Sequence, residues 1–184
     1  MAYAYKNLTS PTNTGSGISE FFLIAKADDF VEGGIQVPVA PYDGQAYGDS
    51  VRIVAPHEFK DGRGFAKVSL APEKNSLTAK TIGDLMFQKL DFELKVFIPG
   101  SYAVLHESIF NFINQQLIIL TKDSNCGANM WYQLGSPCTF AYLKADFSTG
   151  TTKDGVKGYD GTITWQNAFV QLYDTVDGPE ILAD

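Results

Sequence analysis

The sequence predicts a mainly β fold, a β-sandwich or barrel with one flanking α-helix, and three observations predict it. Runs of residues alternate in polarity. In the longest, Leu90, Phe92, Leu94, Val96 and Ile98 alternate with Lys89, Asp91, Glu93, Lys95 and Phe97. Strand side chains point to opposite faces with period two, so this run has one apolar face and one mostly charged face. Glycine, tyrosine and phenylalanine are plentiful, at 17, 9 and 13 residues, as suits turns and half-buried strands. Helical spacing marks a single stretch, with Leu105, Ile109, Phe112 and Ile113 on one side and Glu107, Asn111 and Asn114 turned away. Roughly eight to ten strands and one helix pack as two sheets or a barrel with the helix on one side or end.

In chain order, residues 1–17 are rich in Ser, Thr, Asn, Pro and Gly and read as a flexible arm. Residues 18–27, ISEFFLIAKA, are continuously apolar and aromatic, which suits a strand covered on both faces. Residues 28–49 form a long loop broken by Gly33-Gly34, Pro38, Pro41, Gly44 and Gly48. The loop also carries Val37, Val39, Tyr42 and Tyr47. A solvated loop has no use for that surface, so these four are the candidate inter-subunit contacts; the alternative is a loop folded back on its own domain. Residues 50–55 and 65–71 read as strands, with a turn at Asp61-Gly62 between them. Residues 73–84 are polar and read as a hairpin tip or mobile loop before the strand of residues 90–98. Pro99-Gly100 ends that strand, and Ser101 is placed to cap the helix. The run from Leu117, LIILT, is again strand-like. A turn at 123–129, a short strand MWYQL, one long or two broken strands in TFAYLKADFSTG, a turn at 153–158 and a last alternating run towards Tyr173 complete one domain, 18–175. Residues 176–184 read as a loose tail.

A chain of 184 residues is long enough to bury a real core in one domain. Its formal charge of −7 gives no general attraction for nucleic acid, yet an acidic wall would let DNA pass without gripping it. No apolar run follows a basic region at the N-terminus, so no secretory signal is expected, and no run is long enough to span a membrane. Cys126 and Cys138 are expected to be reduced, and no C-x-x-C or H-x-x-x-H spacing suggests a metal. His57 and His106 stand alone, without a nucleophile and orienter at a recognisable spacing. Gly62-x-Gly64 and Gly33-Gly34 lack the Lys-Ser/Thr of a phosphate loop. The expectation is therefore no catalytic residue, no cofactor and no metal. The aromatic residues are expected to be core and contact area rather than a stacking platform.

The succession FELKVFIPGSY, HESIFNFINQQLIILTKDSN, LGSPCTF and FSTGTTKDGVKGYDGTITW resembles tail-tube-like structural proteins of tailed bacteriophages, especially phages of Bacteroidetes. The matching positions are Pro99-Gly100, residues 117–123, residues 134–137, Thr149-Gly150, Asp154, Gly158 and residues 162–165. The resemblance covers about the last hundred residues; the first half matches only as a strand followed by a long loop. It implies a β-sandwich or barrel flanked by a helix, as in type VI secretion tube proteins. It also implies homohexameric rings stacked into a hollow tube, with other virion tail or connector proteins as neighbours. DNA would pass without specific binding, and the place would be the virion tail, assembled in host cytoplasm. The alternatives are a head–tail connector or tail-terminator ring and, from another class, a carbohydrate-binding β-sandwich module.

Overall fold

A computed structural model describes residues 17–39, 48–72, 74–124, 130–150 and 155–182. Within them lie β1 (Ile18–Lys26), β2 (Arg52–Ile53), β3 (Ala66–Ser69), β4 (Ser76–Ile82), β5 (Lys89–Pro99), α1 (Ala103–Phe112), β6 (Leu117–Asp123), β7 (Trp131–Leu134), β8 (Tyr142–Ser148), β9 (Gly158–Asn167) and β10 (Gln171–Tyr173). The strands form a six-stranded sheet ordered β2-β10-β7-β6-β1-β3 and a four-stranded sheet ordered β4-β5-β9-β8. The expected mainly β architecture of two sheets and a flanking helix is therefore present.

Alternation in β5 does what period two requires. Phe92, Leu94, Val96 and Ile98 point into the space between the sheets, opposite Trp165, Ile163, Gly161 and Tyr159 of β9. Phe22 and Ile24 of β1, Leu117 and Ile119 of β6, and Leu105 and Ile109 of α1 close the same core. Each such side chain contributes about 1.5–3 kcal/mol on burial. Gly161 makes the close approach possible, since a Cβ there would meet Val96 Cγ2 at 2.8 Å.

β1 and β6 read as continuously apolar because they are buried on both faces. With Ile24 opposite Ile119 towards the inter-sheet core, Leu23 opposite Leu120 and Ala25 opposite Ile118 must face the other way. There they meet a second core containing Ile53, Trp131, Tyr173, Phe30 and Phe65. Its lid is drawn from residues 30–36 and 57–65. Phe30 stacks on Phe59 at 4.3 Å between ring centroids, and Phe65 meets Phe59 edge-on at 5.1 Å. Val31 N–H donates to the Glu58 carbonyl and Glu58 N–H to the Gly34 carbonyl. Gly34 is required here, because a Cβ would lie 2.3 Å from the Glu58 carbonyl oxygen.

Several expectations need correction. The first part of the 28–49 loop, through Gln36, folds back on its own domain as part of the second core's lid rather than leaving as an arm. Within the polar stretch 73–84, Ser76–Ile82 form a strand, β4, at the edge of its sheet. Its sequence is polar because an edge strand at a solvated corner buries little on either face. The 50–55 strand shrinks to β2, preceded by a 3-10 turn at Asp49–Val51. Ser101 does not cap α1: Tyr102 holds the N-cap position, and the Ser101 hydroxyl pairs with His106 Nε2 at 3.3 Å. The run towards Tyr173 breaks after Asn167, and β10 joins the other sheet. The tail is tied down as far as Leu182, with Phe65 N–H donating to the Glu180 carbonyl and Leu182 N–H to the Phe65 carbonyl.

Candidate functional site

Both histidines are engaged in packing and hydrogen bonds within the fold. His57 is buried and stacks on Tyr173 at 4.8 Å. Gln36 N–H donates to its Nδ1 at 3.0 Å, so the Nε2 proton goes to Gln133 Oε1 at 2.9 Å. The Gln133 amide donates in turn to the carbonyls of Gln36 and Gly135. Burial pushes the imidazole down to about 4, and the hydrogen bond with Gln133 only partly opposes this. This network joins the lid to the sheet and presents no nucleophile. His106, on α1, ties the helix to the four-stranded sheet through the Tyr159 hydroxyl and packs edge-on against Phe147. Among the described residues no three His, Cys, Asp or Glu side chains converge as metal ligands, and no helix is long and apolar enough to cross a membrane. Cys138 is exposed, and Cys126 lies outside the described residues. Trp165 is buried, with its indole N–H donated to the Thr139 carbonyl at 2.7 Å, so it offers no face to a sugar.

What the fold does present is contact surface, in four forms. The first is the four-stranded sheet. Its outer face carries Lys80, Lys89, Lys95 and Lys144 beside Asp91, Glu93, Asp146 and Asp160, with Thr78, Thr162, Thr164 and Gln166 between them. Lys95 pairs with Glu93 at 2.8 Å, Lys144 with Asp146 at 3.3 Å, and the Gln166 amide donates to Asp91. Charge on this face is balanced, so the chain's excess of acid is not concentrated there. Phe97, Ile82 and Tyr142 interrupt its polarity, and Phe97 is roofed by Lys74, whose Nζ stands 4.5 Å from the ring centroid. The sheet ends in β4 on one side and β8 on the other, and among the described residues neither has a further strand beside it.

The second surface is the tip of the β4–β5 hairpin. Leu85, Met86 and Phe87 are 85%, 95% and 83% exposed. The turn is tight: Phe87 N–H donates to the Asp84 carbonyl, Gly83 has φ +99°, and Met86 has φ +76°. A methionine held in the left-handed region is a local cost of order 1 kcal/mol. Three large apolar side chains there serve nothing inside the domain. The sequence held a signal for them, an apolar triplet directly after a Gly-Asp turn pair, which the periodicity reading passed over.

The third surface is a groove of about 640 Å³ between α1 and β3, floored by Ile98 and Ile109 and walled by Val68, Val104 and Phe112. Phe112 is only half-buried because it faces this groove. The fourth is the predicted contact set. Val37 and Val39 are exposed, at 42% and 58%, just beyond the folded-back lid. Tyr42 and Tyr47 lie outside the described residues, so the structure does not bring the four together.

Comparison with protein-family models, curated proteins and solved structures finds no match. The surfaces themselves therefore carry the functional reading. Among the described residues they are two unpaired edges of one sheet, an apolar tip and an apolar groove, and unpaired edges and exposed apolar surface are where proteins meet other chains.

Proposed function

We propose that this chain is a virion structural protein, the tail tube subunit of a tailed bacteriophage, and that it forms stacked homohexameric rings around a lumen that conducts DNA. The observation that carries this reading is the four-stranded sheet, whose two edges are free among the described residues and whose outer face is mostly polar. An edge strand left bare is a template for pairing with another chain. β4 of one protomer laid against β8 of the next makes a heterologous contact, and such contacts close into a ring when the rotation allows. Continued round the ring, the sheets become one barrel. Their apolar faces stay on each protomer's own core, and the face of Lys, Asp, Glu and Thr residues turns inward. A wall of balanced charge neither grips phosphate nor depends on an acidic lining. Val37 and Val39 add exposed apolar surface for a neighbour.

The sequence resemblance in the last hundred residues points the same way. Negative-stain electron microscopy of the purified chain tests the reading. Hollow tubes of stacked rings are expected. Single rings that never stack would favour a connector or tail-terminator, and monomers at every concentration would overturn both.

A further inference from the structure

We infer that the Leu85-Met86-Phe87 tip of one copy seats in the groove between α1 and β3 of another copy, so that the chain carries both halves of a head-to-tail joint. This inference rests on the proposed assembly and assigns its axial contact. Three observations on the molecule lead to it.

Knob and hole match in chemistry. The tip is three consecutive large apolar side chains, almost wholly exposed. The groove is lined by Val68, Ile98, Val104, Ile109 and Phe112, and its 640 Å³ lies within the range of clefts that enclose a ligand of a few side chains.

One tip residue, Asp84, complements the charge of the groove. Lys26, Lys67 and Arg63 line the groove, and Asp29 offsets one of them by pairing with Arg63 at 3.6 Å. That leaves a positive rim. The tip carries Asp84 beside its apolar triplet, with Lys89 following at the base of β5.

Their placement excludes any contact within one molecule. The tip precedes Lys89 at the start of β5, and the groove is floored by Ile98 and Pro99 at its end. Eleven strand residues separate them, about 33 Å at the rise of a β-strand. A knob at one end of a strand and its hole at the other join copies by translation along that strand, which is an open, stacking contact and not a closed dimer. The β4–β8 edges lie at right angles to that axis, within the sheet, so one set of contacts makes a ring while the other stacks rings.

Disulfide trapping in the full chain, with Cys126 and Cys138 both replaced by serine, tests this. Met86→Cys and Val104→Cys both fall on exposed side chains, so folding is not at risk. A mixture of the two single-cysteine chains should give a cross-linked dimer under mild oxidation, and one chain carrying both cysteines should give a ladder. Asp84→Lys or Lys67→Glu alone should slow cross-linking about fivefold at low salt, and the two together should restore it. Leu85→Ser with Met86→Ser and Phe87→Ser should leave the thermal melt unchanged and convert tubes into unstacked rings.

Dimers formed by the Met86→Cys chain alone would indicate a symmetric tip-to-tip contact and overturn the inference. So would a groove cysteine protected from maleimide in assembled protein while the tip cysteine stays reactive, since another segment would then fill the groove. Rings without tip–groove cross-links overturn this inference and leave the ring reading standing. Ladders without rings do the reverse.

Discussion

The two sheets are built on opposite terms. The six-stranded sheet is covered twice, by the four-stranded sheet and α1 on one face and by the Phe30–Phe59–Phe65 lid on the other. The four-stranded sheet is covered once, and its outer face is a lattice of Lys, Asp, Glu and Thr in water. One sheet holds the fold together on both sides. The other holds it on one side and leaves a face and two edges available. The difference explains why the plain alternation of β5 borders the tip, the free sheet face and the groove, while β6 carries no candidate contact and β1 reaches one only at its end, through Ile24 and Lys26 in the groove wall.

If the second core is a core in the full sense, Leu120→Ala, which opens it, should cost as much as Leu94→Ala between the sheets. About 2–5 kcal/mol is expected for each by urea unfolding. A cost for Leu120→Ala well under 1 kcal/mol would reduce the lid to a loose flap and erase the contrast.

Acid should attack the lidded side. His57 is held neutral, with its value near 4 against 6.5 for a free imidazole. The unfolded chain therefore takes up a proton between those pH values that the folded chain refuses, so stability falls as pH drops from 6.5 towards 4. The loss should approach about 3 kcal/mol from this group. His57→Gln should flatten that part of the profile, and an unchanged slope would show that the histidine is not sealed beneath the lid.

Gly34→Ala forces a Cβ against the Glu58 carbonyl and should cost about 1–3 kcal/mol, with faster proteolysis within residues 28–65. The outer face of the four-stranded sheet marks the small end of the scale. Thr164→Ala, exposed in the middle of β9, should shift the melt by no more than about 0.5 kcal/mol. A larger loss in the isolated monomer would mean that this face already packs on something within the chain.

The sequence by itself determined what period and composition control. Alternation fixed which side of β5 and β9 is buried, because a one-residue slip would put Phe92, Leu94 and Val96 into water. The continuous apolar runs of β1 and β6 announced burial on both faces, and the Leu105–Ile109 stripe placed α1. Only the tertiary structure decided the rest. Residues 76–82 become β4 because β5 offers them a ladder, a main-chain attraction that leaves no mark in a polar sequence. Residues 30–36 become a lid because the second face of β1 and β6 must be covered, and nothing local to Phe30 or Ile35 names the strands they meet. Ser101 is drawn from its capping role to His106. The apolar triplet at 85–87 acquires its meaning only when β4 and β5 pair and leave it at the far end from the groove. Local spacing dictates which side of an element is apolar, and long-range pairing dictates what that side, or that tip, encounters.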